Sequence, residues 1–129
     1  MLNKLDASNG SLLDQLVPGA FSRPTAPNWQ DHSTGKQCQA FESKVGGPQG
    51  LAKITGSRAH FRFTGTQILK IAQEEPECYA KTQAISLVSS FLASVLSGSL
   101  TALEEADACG MNLYDISKRE FDNDLLSLI

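Results

Sequence analysis

Apolar residues recur every three or four positions in most of the chain, and this pattern predicts a mainly α-helical protein. The first example lies between Ser11 and Pro18, where Leu12 and Leu16 are spaced for a short helix. Residues 18–28 follow with three prolines and a glycine, which favour an extended segment. Residues 1–27 are therefore interpreted as one helix and a proline-rich connector.

Two further helices are predicted on either side of a double glycine. The first covers residues 33–45, because Thr34 and Gln37 have the spacing of a capping box and an apolar face follows them. Gly46 and Gly47 end it. The second covers residues 48–56, with proline in its first turn and a glycine as its C-cap.

The sequence pattern in the second half of the chain predicts more helices and only one or two strands. A helix capped by Thr64 or Thr66 ends before Pro76. Residues 85–88 have strand character, and residues 104–116 suggest a turn into a short strand.

Two helices complete the prediction. Ser89 caps a helix that stops at Gly98, and Asp122 caps a last helix that leads to the end of the chain. So few strands cannot form a stable sheet. The sequence thus predicts a mostly α-helical protein with few short strands, whose helices lack the sheet that they would cover.

Composition narrows the functional classes. The 129 residues suit a single domain, and a net charge of -3 makes nucleic acid an unlikely partner. The three cysteines are far apart and show no zinc-site spacing, as is usual for reduced cytosolic thiols. Residues 85–100 are too polar to span a bilayer, and the first residues do not resemble a signal peptide. The expected location is cytoplasmic, without a membrane partner.

The stretch NWQDHSTGKQC allows two interpretations. Trp29 could pack on a ligand while Asp31 or His32 forms a hydrogen bond with that ligand. Alternatively, Trp29 fills core space while Asp31, Ser33 and Thr34 accept hydrogen bonds from free amides at the start of a helix. The pattern favours the second interpretation.

The stretch GSRAHFRFTG has two arginines four residues apart, Arg58 and Arg62, with aromatic residues among them. Either guanidinium could donate paired hydrogen bonds to a hydroxylated or anionic ligand. Either could instead form an ion pair with a carboxylate such as Glu42 or Asp107. No phosphate-binding glycine pattern, catalytic triad order or metal-binding pattern occurs in the sequence.

Four motifs in a fixed order give a more specific indication: PNWQDHSTGKQCQAFE, GSRAHFRFTGTQILKI, ISLVSSFLASVLSG and EEADACGMNLYDI. Together they resemble the N-terminal domain of FGGY-family carbohydrate kinases, and within that family the D-xylulose kinases of fungi and animals. The resemblance begins near Ser11. It makes residues 28–129 part of the sugar-binding side of that domain.

The resemblance implies a fold and an activity. The fold would be a fragment of an α/β ribonuclease-H-like domain of the actin-like ATPase type. The activity would be ATP-dependent phosphorylation of D-xylulose to D-xylulose 5-phosphate, with ATP and Mg²⁺ as cofactors of the full-length enzyme and the sugar as its partner. Neither nucleic acid nor a membrane is implied.

The resemblance also implies a short set of substrate-binding residues. Arg62 is the first candidate for contact with the sugar, Trp29 would line the pocket, Asp31 would support it, and Arg58 is a further candidate. The family's phosphate-binding loop, general base and adenine-binding segment have no counterpart in the sequence, and Asp107 does not match the base. We therefore expect no catalytic, cofactor-binding or metal-binding residue, and a fragment that is inactive alone.

Two alternatives stay open from the sequence. The chain could be a non-catalytic helical interaction module, or it could belong to a kinase of the same family that acts on another sugar or polyol. If the chain is a fragment of an FGGY kinase, apolar faces at Leu125, Leu126, Leu128 and residues 85–97 are expected to lack the sheet that would cover them. The isolated chain is therefore expected to be poorly stable or aggregation-prone.

Overall fold

The computed structural model describes residues 12–16 and 19–129, in which eight helices and one two-stranded hairpin are present. The helices are α1 Leu12–Leu16, α2 Gly35–Lys44, α3 Pro48–Thr55, α4 Thr64–Glu74, α5 Pro76–Ala80, α6 Val88–Ser97, α7 Glu105–Cys109 and α8 Asn123–Leu126. The strands are β1 Tyr114–Asp115 and β2 Glu120–Phe121. The prediction of a mostly helical protein with few short strands is confirmed.

The core lies where α2, α3, α4 and α8 meet the segment that follows α7. Phe41, Leu51 and Leu125 are fully buried there, with Leu69 and Met111 almost so. Burying one such side chain contributes roughly 1.5–3 kcal/mol. This cluster therefore holds α2 and α4 together, and the loop between α3 and α4 is attached to it.

The hairpin is short and antiparallel, with Tyr114 opposite Phe121 and Asp115 opposite Glu120. The Tyr114 and Phe121 rings meet edge to face at a centroid distance of 5.5 Å. The short strand expected within residues 104–116 is thus present, after a helical turn, α7, that the sequence interpretation described only as a turn.

Several predicted helix ends are confirmed. Gly56 and Gly98 end α3 and α6 in the left-handed conformation, with φ of 84° and 69°. Asp122 caps α8 and accepts a hydrogen bond of 3.0 Å from the amide of Leu125. Leu125 is fully buried, so the expectation of an open apolar face at this residue is wrong.

The hydroxyl caps predicted for three helices are wrong. Thr34 precedes α2, but its hydroxyl donates to the Phe61 carbonyl instead of accepting from an α2 amide. α4 begins after Phe63, and Thr66 donates to that residue's carbonyl. α6 begins after Leu87 without a side-chain cap. A hydroxyl can donate as well as accept, so Thr34 and Thr66 donate to carbonyls instead of accepting from helix amides.

The predicted strand at residues 85–88 is also wrong. Leu87 has extended backbone angles, φ of -75° and ψ of 164°, but Val88 already begins α6. In the described ranges no strand pairs with this segment. A β-prone sequence without a partner strand cannot form a ladder, so only the extended backbone remains.

α6 presents an apolar stripe to solvent. Val88, Leu92 and Leu96, spaced four residues apart, are 86%, 55% and 79% exposed. The predicted open face of this segment is therefore confirmed. None of the helices in the described residues is long and apolar enough to cross a membrane.

Candidate functional site

The loop between α3 and α4, residues 57–63, carries both arginines and is named here the arginine loop. Its carbonyl at Phe61 points toward the protein and accepts hydrogen bonds from Thr34 Oγ1 at 2.7 Å and Gln67 Nε2 at 3.0 Å. Thr66 Oγ1 lies 3.3 Å from the same oxygen. Thr34, Thr66 and Gln67 are all buried. The backbone at the middle of the loop is therefore fixed from both α2 and α4.

A ring contact joins the segment before α2 to this loop. The His32 imidazole meets the Phe61 ring edge to face at a centroid distance of 5.6 Å. His60 contacts the same ring at 5.8 Å. The structure thus brings NWQDH and the arginine loop together, although 27 residues separate Thr34 from Phe61.

Asp31 lies in a polar network at the edge of α4. Its carboxylate accepts from the Ser33 hydroxyl and, at 2.8 Å, from the Ser33 amide. Together with the side-chain amide of Gln67 and the nearby Lys70, these donors lower the pKa of Asp31 to about 2. Asp31 is therefore a permanent anion at neutral pH.

Lys70 extends this network. Its ammonium donates to Ser33 Oγ at 2.6 Å and lies 3.7 Å from a carboxylate oxygen of Glu74. Arg23 and Glu75 form a bidentate pair nearby, with N···O distances of 2.9 and 3.0 Å. These contacts attach the connector before α2 to α4.

A small cleft of about 70 Å³ lies between the connector and α4. Arg23, Asp31, Gln67, Lys70 and Glu75 are among its lining residues. Water occupies about 30 Å³ per molecule in the liquid, so this cleft holds only a few waters and no sugar. A wider depression of about 400 Å³ along residues 79–85 has no carboxylate, cation or histidine in its lining.

Arg58 lies at the start of the arginine loop with a 74% exposed side chain. Its Nε is 3.5 Å from Glu42 Oε1, which also accepts from the Ala59 amide at 3.3 Å. The ion pair with Glu42 that the sequence left open is therefore present. The other carboxylate considered, Asp107, accepts a short hydrogen bond from the Ser89 hydroxyl.

Arg62 is exposed at the other end of the loop. Its amide donates to His60 Nδ1 at 3.4 Å, but its guanidinium has no acceptor among residues 12–16 and 19–129. Five N–H donors are thus available to a ligand at this position.

Trp29 is 69% exposed, so the expectation that it fills core space is wrong. The chain turns at this point, because the Asp31 amide donates to the Asn28 carbonyl at 3.0 Å. Trp29 is the second residue of this turn, and its side chain lies at the surface. The ring is therefore open to solvent.

The sequence interpretation missed the residues that fix the loop. Thr34, Thr66 and Gln67 donate to its carbonyls, and Asn112 donates to residues where it begins. The only available signal was the occurrence of polar residues at positions where a helix face is otherwise apolar. That signal does not indicate which distant carbonyl they reach.

No group of three or more His, Cys, Asp or Glu side chains in the described part of the chain could hold a metal ion. The sequence also lacks a glycine-rich phosphate loop. We derive no step through ATP or Mg²⁺.

Comparison with known proteins identifies the family. Residues 24–129 match the model of the FGGY family of carbohydrate kinases, N-terminal domain. The chain is 68% identical over 118 residues to the xylulose kinase of Saccharomyces cerevisiae, covering 92% of this chain and 20% of that protein. It is 53% identical over 128 residues to the probable D-xylulose kinase A of Aspergillus clavatus, covering 99% of this chain and 22% of the relative.

The probable D-xylulose kinase A of Aspergillus flavus is 54% identical over 128 residues, again 99% of this chain and 22% of the relative. The chain thus spans about a fifth of the length of the relatives that it matches. Because most of the chain matches the family model, the protein belongs to the FGGY family of carbohydrate kinases, as part of its N-terminal domain.

Proposed function

We propose that this chain is a sugar-binding part of a kinase that transfers phosphate from ATP to D-xylulose and forms D-xylulose 5-phosphate. The observation that carries the proposal is the 68% identity to a xylulose kinase over nearly the whole chain. The corresponding fold is a fragment of a ribonuclease-H-like domain. Its helices would cover a sheet built by other segments, and the exposed α6 stripe is consistent with such a missing layer.

The geometry supports Arg62 as the sugar contact. A polyhydroxylated ketose offers several oxygens that accept hydrogen bonds, and a guanidinium donates two parallel bonds to neighbouring acceptors. Arg62 has no competing acceptor in the described residues, whereas Arg58 shares Glu42. Arg62 is therefore the stronger of the two candidates.

Trp29 and Asp31 take supporting roles in this proposal. An exposed indole ring can pack against the C–H face of a sugar, and the position of Trp29 beside the turn leaves its ring free for this contact. Ser33 and Gln67 fix the Asp31 carboxylate. Asp31 is therefore assigned to stabilising the turn that contains Trp29, and not to proton transfer. A carboxyl with a pKa of about 2 is a poor general base at neutral pH.

Phosphoryl transfer needs a general base and a cradle for the triphosphate, and neither is identified among the described residues. A general base for the sugar hydroxyl and a cradle for the triphosphate would come from other segments, so the chain alone is proposed to be inactive. Its contribution is to bind and orient the sugar.

A chimeric enzyme tests the proposal. In it, the matched 118 residues of this chain replace those of the Saccharomyces cerevisiae xylulose kinase. We expect the chimera to phosphorylate D-xylulose, and to prefer it to a panel of other ketoses and polyols, in a coupled assay for ADP. A folded chimera that turns over another sugar faster would overturn the substrate assignment. A folded chimera without kinase activity would overturn the function.

The apolar stripe on α6 favours a second candidate, a non-catalytic interaction module. Cooperative unfolding of the isolated chain as a monomer would support the module, because such a protein must fold alone. An unfolded or oligomeric chain would support the kinase fragment.

A further inference from the structure

We propose that Asn112 is a positioning residue for the arginine loop, and that with Met111 it clamps both ends of that loop. This inference rests on the proposed function for its catalytic consequence. The clamp itself is independent of that function.

The first contact lies where the loop begins. Asn112 Nδ2 donates to Thr55 Oγ1 at 3.0 Å and to Ser57 Oγ at 3.1 Å, and Ser57 O lies 3.5 Å away. Thr55 is the last residue of α3, and Ser57 directly precedes Arg58. One buried amide therefore connects the end of α3 to the first residue of the arginine loop.

The second contact lies where the loop ends. The Gly65 amide donates to the Met111 carbonyl at 2.9 Å. A Cβ at Gly65 would lie 2.5 Å from that carbonyl oxygen, so only glycine permits this approach. Two consecutive residues, Met111 and Asn112, thus hold the two ends of a loop that lies about fifty residues earlier.

The backbone at Asn112 is adapted to this task. Its φ is 59°, a left-handed conformation in which asparagine is enriched. This turn lets Met111 direct its carbonyl toward α4 while the Asn112 side chain reaches α3. The Asn112 side chain is fully buried, and its Oδ1 has no partner among the described residues. Leaving a buried acceptor unpaired costs free energy, so a compensating role is expected.

Neighbouring contacts reinforce the clamp. The Ile116 amide donates to the Ile54 carbonyl at 2.9 Å, which attaches the next residues of the segment to α3. Phe61 is fixed separately from α2 and α4. The arginine loop is therefore held at its two ends and its middle, and Arg62 extends from a backbone with little freedom.

Three substitutions distinguish loss of the clamp from a general loss of stability. Asn112→Gly keeps the positive φ accessible and removes both side-chain donors. Arg119→Gly is the matched control, because Arg119 is the other described non-glycine residue with positive φ, 58°, and it pairs with Glu105 away from the loop. Ser57→Ala removes one of the two hydroxyl partners without altering the buried asparagine.

Amide hydrogen exchange in the chimera is the first readout. We expect Asn112→Gly and, more weakly, Ser57→Ala to raise exchange in residues 57–63 at least tenfold while the α2 amides stay protected. Arg119→Gly should leave the loop unchanged. Equal exchange in the loop for all variants, or a uniform increase throughout the segment, would overturn the clamp.

The second readout concerns the sugar. If the loop positions Arg62, Asn112→Gly raises KM for D-xylulose about tenfold and leaves KM for ATP unchanged. Faster loop exchange without a change in KM for the sugar would leave the clamp intact and overturn its catalytic consequence. Faster loop exchange with an equal rise in KM for D-xylulose and for ATP would also leave the clamp intact and overturn its catalytic consequence.

Discussion

Thr34 donates a hydrogen bond of 2.7 Å to the carbonyl of Phe61, and this bond joins the residue before α2 to the middle of the arginine loop. Thr34 is fully buried. The bond therefore gives the buried Thr34 hydroxyl an acceptor and fixes the backbone of the loop at Phe61.

Replacing Thr34 by valine tests this bond. Valine keeps the shape of the side chain, and the Phe61 carbonyl keeps its bond from Gln67, so the loss of one hydrogen bond costs about 0.5–1.5 kcal/mol. We expect Thr34→Val to lower the urea midpoint of the chimera in unfolding titrations followed by circular dichroism. Thr25→Val, at an exposed position in the connector, serves as the control. Equal midpoints for the two variants would show that the bond contributes nothing.

Alanine substitutions at two glycines test how closely α4 approaches the segment after α7. In Gly65→Ala the new methyl group would lie 2.5 Å from the Met111 carbonyl and 3.0 Å from Leu113 Cγ. Such overpacking costs roughly 1–3 kcal/mol. Gly35→Ala is the matched helical control, since its nearest neighbour is the Phe61 ring at 3.7 Å. We expect only Gly65→Ala to lower the thermal midpoint of the chimera, and a tolerated Gly65→Ala would contradict the observed packing.

The ion pair of Glu105 with Arg119 predicts acid sensitivity. Hydrogen bonds from Arg119 and then Tyr114 lower the pKa of Glu105 to about 2. The folded-state pKa lies below the unfolded value, so this stabilisation is present above about pH 4.5 and is lost as the pH falls toward 2.

Glu105→Gln should therefore lower the thermal midpoint of the chimera at pH 6 and have a smaller effect near pH 2.5. Asp124→Asn, at an exposed carboxylate near the end of the chain, is the control for loss of one charge. A difference between Glu105→Gln and the parent that is independent of pH would refute this assignment.

The exposed stripe of α6 predicts self-association of the isolated chain. Leu92 and Leu96 present apolar surface that no described residue covers. We expect the double variant Leu92→Gln, Leu96→Gln to reduce oligomers in sedimentation velocity without lowering the thermal midpoint. Ala93→Gln, on the same helix and also exposed, is the control. Oligomers that persist in the double variant would place the association elsewhere.

The helices were predictable because their signals are local. Gly56, Gly98 and Asp122 end or begin helices through groups within one turn of the chain, and the sequence identifies them correctly. The role of Thr34 was not predictable, because its hydroxyl donates to the Phe61 carbonyl, which only the tertiary fold brings near, whereas Thr66 donates to the local carbonyl of Phe63. A capping pattern cannot reveal that competition.

The candidate site shows the same division. The sequence identified Trp29 and the two arginines and named Glu42 as a candidate ion-pair partner, but it did not indicate which arginine forms that pair. The exposure of Trp29 also depends on the Asn28 to Asp31 turn, which the proline-rich sequence allows but does not specify.

Steady-state kinetics of Arg62→Ala in the chimera test the central claim most directly. Loss of charged hydrogen bonds to the sugar, about 1.5–3 kcal/mol, corresponds to a rise in KM for D-xylulose of roughly ten- to a hundredfold. KM for ATP should stay unchanged, and Lys36→Ala, which removes a positive charge on α2, should change neither constant. An unchanged KM for D-xylulose, or an equal rise in both Michaelis constants, would contradict the assignment of Arg62 to the sugar site.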